Sequence, residues 1–167
     1  MLKDIHKDQF SIRFADQKDL SLILELIKEL AVYENMLDEV VATEASLKEQ
    51  LFEKKMAEVI IGEYKSEPVA FALFFPNFST FLGKPGLYLE DLYIKPEMRG
   101  KGFGRRIFSF LAELTREREY GRLEWVCLDW NEPSIQFYKK MGAVPMDDWT
   151  TFRLQGQALN DLAGKDQ

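Results

Sequence analysis

Residues 98–106, Met98-Arg99-Gly100-Lys101-Gly102-Phe103-Gly104-Arg105-Arg106, constrain the fold of this chain more than any other stretch. The run before it, residues 87–94, is rich in leucine, tyrosine and isoleucine and is stopped by Pro96, so it reads as a strand. The run after it carries Phe103, Ile107, Phe110, Leu111 and Leu114 at the spacing of one buried helix face. Glycines at such a strand-to-helix turn let backbone N–H groups converge without a Cβ in the way. The first N–H groups of a helix have no intrahelical partner, and the helix dipole adds positive charge there. The combination predicts an anion cradle suited to phosphate. Lys95, Arg99, Lys101, Arg105 and Arg106 surround it in a chain of formal net charge −6.

The spacing narrows the phosphate ligand. G-x-G-x-G departs from the dinucleotide pattern G-x-G-x-x-G. No G-K-[ST] follows, which argues against an ATP-type loop. The competing reading is a glycine-rich connection that opens a solvated basic helix.

The rest of the chain alternates strand and helix patterns around that turn. Residues 10–14 read as a short strand, and Asp16 as the cap of a helix carrying Leu20, Ile23, Leu24, Ile27, Leu30 and Ala31, ending near Tyr33-Glu34-Asn35. Thr43 reads as the cap of a second helix through Leu47, Leu51 and Phe52. Residues 57–64 and 68–75 form two strands joined by a polar turn at Lys65-Ser66-Glu67. After the long helix, residues 123–130 read as a near-continuous apolar strand, the pattern of a central strand covered on both faces. Asn131 caps a further helix closed by Gly142; a strand at 150–154 and a short helix finish the order, with the tail past Gly164 frayed. This is an α/β (α+β) chain with a mixed sheet, and its 167 residues suit a single domain, 1–167.

Composition excludes several function classes. The longest apolar run, residues 69–75, falls well short of the roughly 20 residues of a membrane helix. The opening residues show no signal-peptide pattern. One cysteine, Cys127, permits no intrachain disulfide and fits a reducing cytoplasm; with His6 as the one histidine there is no zinc site. The acidic balance argues against nucleic acid as a partner and suits a cationic substrate.

Arg99-Gly100-Lys101-Gly102-Phe103-Gly104 resembles the R/Q-x-x-G-x-G/A signature of GNAT-superfamily acetyltransferases. Three further stretches narrow the resemblance: residues 88–94, residues 129–138 and residues 26–34. Together they are similar to the diamine (spermidine/spermine) N-acetyltransferase family, and residues 152–164 are closest to its thialysine-acetylating branch. The resemblance implies a GNAT fold whose fourth and fifth strands splay apart, with helices on both faces, and acetyl-CoA as acetyl donor. It also implies a homodimer with acceptor pockets near the subunit interface.

Acetyl transfer to an alkylamine needs a proton acceptor, because a lysine-like amine has a pKa near 10. It also needs donors for the developing oxyanion and a proton for the departing thiolate. Glu90 is the candidate acceptor, and the resemblance places it in the amine site. Strict alternation turns Asp91 to the opposite face, a structural position. The resemblance makes Tyr138 the general acid. It also implies that the backbone of Leu92, Tyr93 and Ile94 holds pantetheine and polarises the acetyl carbonyl. Arg99, Gly100, Lys101, Gly102, Phe103, Gly104 and Arg105 would hold the pyrophosphate. Asn131, Glu132, Pro133 and Ser134 match a second CoA contact; a plain helix cap is the alternative for Asn131. Tyr33, Glu34, Glu124, Trp125, Val126 and an acid at Asp147 or Asp148, with Asp148 the one selected, are the implied acceptor contacts. Residues 144–149 depart from the family pattern and carry Pro145. The reading is therefore direct acetyl transfer to a primary amine of a diamine, polyamine or lysine analogue such as thialysine. A non-catalytic CoA-sensing module is the competitor of another class.

Overall fold

The structure, a computed structural model, describes residues 9–164. His6, the opening residues and the tail past Gly164 lie outside the described residues. The chain divides into two units at Val126/Cys127.

The first unit is built on a five-stranded sheet in the order β1-β2-β3-β4-β5. Its strands are β1 (Phe10–Phe14), β2 (Glu58–Tyr64), β3 (Glu67–Ser79), β4 (Lys84–Ile94) and β5 (Leu123–Trp125). Neighbours are antiparallel except β4 and β5, which run parallel and share three residue pairs, ending at Leu89 opposite Trp125. The polar turn between β2 and β3 places Lys65 and Ser66 at φ +54° and +66°, the left-handed pair that a tight hairpin uses.

Helices cover both faces. α1 (Leu20–Tyr33) follows a short 3-10 turn capped by Asp16, whose carboxylate accepts the Lys18 N–H at 2.7 Å. α2 (Glu44–Leu47) is capped by Thr43, whose hydroxyl accepts the Ser46 N–H at 3.1 Å, and it runs on as a π turn through Glu53. Ile23, Leu26 and Leu30 of α1 meet Leu51, Val59, Ile61, Phe71 and Tyr93 in one buried cluster. Each such apolar side chain contributes about 1.5–3 kcal/mol on leaving water.

The opposite face carries α3 (Phe103–Glu117), whose Phe103, Ile107, Phe108 and Leu111 are buried. Phe103 stacks on Phe10 at 4.1 Å between centroids and meets Tyr64 at 5.3 Å; Phe108 meets Trp125 at 4.7 Å. These aromatic contacts anchor the start of α3 on β1 and β2, and with it the glycine turn. Gly62 on β2 keeps that layer closed, since a Cβ there would stand 2.8 Å from the Phe10 ring.

Two expectations fail. The strand expected at 123–130 is paired only over Leu123–Trp125, and it is a half-buried edge strand rather than a central one. The strand expected at 150–154 is not formed, and residues 144–164 are all exposed. An apolar, alternating pattern records a capacity to pair. The ladder itself needs a neighbouring edge, and none of the five strands pairs with 150–154.

In the second unit, α4 (Glu132–Lys140) has Pro133 in its first turn and Gly142 at φ +91° just past its end. α5 (Gly156–Leu162) follows the exposed stretch.

Candidate active site

β4 ends at Ile94, a 3-10 turn spans Pro96–Met98, and α3 begins at Phe103. Between them Gly100 and Gly102 stand at φ +76° and +83°, with Gly102 as the N-cap of α3. Only glycine takes that backbone without strain. Gly104, by contrast, lies in the first helical turn. The Arg106 N–H closes on the Gly102 carbonyl at 3.2 Å, so the N–H groups of Phe103, Gly104 and Arg105 precede the first intrahelical bond. A Cβ built on Gly100 or Gly102 would meet nothing within 4 Å, so the mouth of the cradle is open. Oriented donors at the positive end of a 15-residue helix fit a pyrophosphate.

The basic residues around the cradle are held in different ways. Arg105 and Arg106 line an open groove of about 580 Å³ along α3 with Gly102 and Ser109. The Arg106 guanidinium also lies 5.1 Å from the Phe10 ring centroid, and the Lys101 ammonium 5.6 Å from that of Tyr64. Arg99 turns away from α3. Its guanidinium lies 4.5 Å from the Tyr33 ring centroid and 5.7 Å from that of Tyr93, while Nε donates to the Ile94 carbonyl at 3.0 Å. It thereby ties the end of α1 to the end of β4.

The β4 backbone has a defined polarity. The Lys95 N–H donates to the Val69 carbonyl at 2.9 Å, and Ile94, Tyr93 and Leu92 oppose Ala70, Phe71 and Ala72. Hydrogen-bonded and non-hydrogen-bonded pairs alternate in an antiparallel ladder. Tyr93 therefore spends its N–H on β3, whereas Leu92 and Ile94 direct theirs to the side from which β5 has already departed. Of the three residues named for backbone donors, Tyr93 alone turns its N–H toward β3.

A bulge marks the point of departure. Leu73 opposes Asp91 but Phe74 opposes Leu89, so Glu90 is an extra residue in β4. The parallel ladder with β5 stops at Leu89, one residue earlier. This is the splay, and it also breaks the alternation that would have sent Asp91 away from Glu90. Asp91 is half-buried opposite Leu73, on the side of the sheet that carries α1, and Glu90 is exposed. Burial, then the charges of Glu90 and Glu34, push the Asp91 carboxyl up to about 6. Burial also raises Glu34, the C-cap of α1. Three carboxylates thus share one region beside the cradle.

Tyr93 is buried, and its phenol donates to Glu29; burial first and Glu29 second push it up to about 12, so it stays protonated at neutral pH. Glu124 is already satisfied, accepting from Asn77 Nδ2 at 2.8 Å and pairing with Arg122 Nε at 2.7 Å. Trp125 packs on Phe108, and Val126 is exposed. In the second unit Asn131 is buried at the N-cap of α4, yet its side chain makes no capping bond. Glu132 accepts from Gln136 at 2.6 Å, and Pro133 and Ser134 complete the first turn. Tyr138 is half-buried with its ring 5.6 Å from Phe137; Asp147 and Asp148 are exposed. Among the described residues no group of three His, Cys, Asp or Glu could hold a metal ion, and no helix is long and apolar enough to cross a membrane.

The Acetyltransferase (GNAT) family model matches residues 23–143, a span that contains the cradle, the bulge and Tyr138. The chain belongs to the GNAT family. It is 36% identical over 166 residues to the thialysine N-epsilon-acetyltransferase of Bos taurus, covering 92% of this chain and 97% of that one. It is 30% identical to an L-ornithine N5-acetyltransferase of Arabidopsis thaliana, covering 94% and 89%. Among solved structures, an integron cassette protein of Vibrio cholerae superposes with a TM-score of 0.78 at 26% identity, covering 93% of this chain and 98% of that one. This GNAT chain is an acetyl-CoA-dependent N-acetyltransferase, and its fold is the one the glycine turn implied. Sequence reasoning placed Asp91 on the face opposite Glu90, and it missed the reach of Arg99 to Tyr33. The adjacency of Glu90 and Asp91 carries no trace of a bulge.

Proposed function

We propose that the enzyme acetylates the terminal primary amine of a small lysine-like or polycationic compound. The observation that carries this is the group Glu34, Glu90 and Asp91 beside the open side of β4, three carboxylates that attract an ammonium. The extent of the match to a thialysine acetyltransferase favours thialysine as the acceptor. A diamine is the second reading, since the charges acting on Asp91 are both carboxylates and offer nothing to an amino acid's own carboxylate.

In this reading the N–H groups of Leu92 and Ile94 polarise the acetyl carbonyl, and those of Phe103, Gly104 and Arg105 hold the pyrophosphate with Lys101. Glu90 lies at the acceptor end, Tyr33 and Glu34 form its wall, and Trp125 and Val126 flank it. Tyr138 keeps the role that family resemblance gives it, a phenol that hydrogen-bonds and then protonates the sulfur. Asn131 to Ser134 keep the second CoA contact, and Asp148 a distal ammonium. The working protein is a homodimer in a reducing cytoplasm. Resemblance to the diamine N-acetyltransferase family supports the second copy.

The test is CoA release with thialysine, lysine, ornithine, putrescine, spermidine, spermine and a short peptide, with Tyr138→Phe beside the wild type. Turnover concentrated on one small amine, and reduced at least tenfold in Tyr138→Phe, is expected. Preference for the peptide, or no turnover with any amine, refutes the proposal.

A further inference from the structure

We propose that β1 is a homotypic interaction edge: it pairs antiparallel with β1 of a second copy about a two-fold axis through Ile12, joining two sheets into one. The inference does not rest on the acceptor reading above, because β1 is the sheet edge farthest from β5. Where copies also meet on the acceptor side, the β1 pair doubles that assembly.

The main chain comes first. The Lys65 N–H donates to the Gln9 carbonyl at 2.9 Å, and the Ala15 N–H to the Val59 carbonyl at 2.8 Å. Between them β1 and β2 keep one register, from Phe10 opposite Tyr64 to Phe14 opposite Ile60. Hydrogen-bonded pairs recur at every second residue of an antiparallel ladder. Gln9, Ser11, Arg13 and Ala15 therefore spend their groups on β2, while Phe10, Ile12 and Phe14 direct theirs outward. Among the described residues those outward groups take one bond, from the Arg13 guanidinium to the Phe14 carbonyl at 3.4 Å. An odd set of three is self-complementary. A two-fold at Ile12 sets Ile12 opposite the partner's Ile12 and Phe10 opposite the partner's Phe14, and each is a hydrogen-bonded pair.

The side chains agree. The Arg106 guanidinium lies 5.1 Å from the Phe10 ring centroid, and the Phe110 ring 5.9 Å from that of Phe14. Ile12 lines the open groove between these two contacts, with Arg105, Arg106 and Glu113. The arginines thus stand at the Phe10 end of the groove, and Glu113, three residues past Phe110, at the Phe14 end. The two-fold exchanges the ends, so the arginines of each copy face the carboxylate of the other. Among the described residues neither Arg105 nor Glu113 has an ion-pair partner in its own chain. Phe14 is 47% exposed, apolar surface that a second β1 would cover. Edges that stay single are commonly blunted by a free charge, a proline or a bulge. β1 has no proline and no bulge, and its one charge, Arg13, is tied to Asp19 and Glu63.

The test is sedimentation equilibrium of the full chain, wild type beside Ile12→Lys and Glu113→Arg, with thermal melts. Ile12→Lys puts two ammonium groups face to face on the axis, and the mass of the wild-type assembly should fall by half. Glu113→Arg removes the opposite charge and should weaken that association at least about tenfold at low salt, with the difference shrinking as salt rises. Ile12→Cys in a Cys127→Ser background decides the register. Opposed residues of a hydrogen-bonded pair stand about 5.5 Å apart at Cα, a span that a disulfide bridges. Mild oxidation should cross-link Ile12→Cys across the axis. Ser11→Cys in the same background should stay as separate chains, because Ser11 opposes the partner's Arg13. Equal mass in wild type and a folded Ile12→Lys overturns the inference and leaves the edge to a segment of another protein. Faster cross-linking through Ser11→Cys than through Ile12→Cys overturns it too. If Ile12→Lys fails to fold, Ile12→Cys decides alone, and chains that stay separate on oxidation overturn the inference.

Discussion

Gly102→Ala tests the cradle most directly. Gly102 stands at φ +83° and ψ +5°, and a Cβ there meets no atom within 4 Å. Steric collision with neighbours is therefore absent, and the whole cost is the left-handed backbone, about 1–2 kcal/mol for an L-residue. Two responses are open to the variant. If the turn keeps its shape, stability falls by that amount and Tm drops by about 2–8 °C in a chain of this size. If the turn relaxes instead, Phe103, Gly104 and Arg105 no longer aim their N–H groups at one point, and acetyl-CoA affinity falls by about 5- to 30-fold. Calorimetric titration with acetyl-CoA alongside thermal melts separates the two. D-alanine introduced at position 102 by semisynthesis accepts φ +83° without strain and should restore both readouts. Unchanged affinity together with unchanged Tm in Gly102→Ala would refute the claim that a left-handed residue builds the anion site.

Two other perturbations follow from the contacts. Arg99→Ala removes two cation–π contacts and the bond to the Ile94 carbonyl, together about 1–2 kcal/mol. The amine KM should rise about 5- to 30-fold, and a change confined to the acetyl-CoA Kd would mean that Arg99 serves the pyrophosphate alone. Asp19 accepts from Arg13 at 2.7 and 2.8 Å and from the Asp16 N–H at 2.9 Å, so the Arg13 bonds hold its carboxyl below the usual range. That stability is present above the unfolded value near 4 and is lost as pH falls through the lower folded one. Asp19→Asn should cost about 2–3 kcal/mol at pH 7, because Arg13 keeps part of its hydration. Denaturant melts should show the gap to wild type closing below about pH 4; a constant gap would contradict the linkage.

Much of the fold was legible because its signals are local. The 3.6-residue spacing of α1 and α3, the caps at Asp16 and Thr43, the Lys65-Ser66 turn and the closing Gly142 each report on a few neighbouring residues. What failed was the far end of the sheet. Residues 123–130 and 150–154 have strand chemistry, but strand formation depends on a partner edge that the local pattern does not contain. The site divides the same way. The cradle follows from glycine stereochemistry, whereas the placement of Asp91, the engagement of Glu124 by Arg122 and Asn77, and the pairing of Arg99 with Tyr33 all join residues distant in the chain.

By itself the sequence determined where the chain turns, which helix faces are buried and where free N–H groups converge at the start of α3, because φ preference and hydrophobic period act over three to four residues. Tertiary structure alone decided that Asp91 carries a raised affinity for a proton. Its burial beside like charge comes from the bulge against β3 and the approach of α1, and both join residues that the local pattern keeps apart.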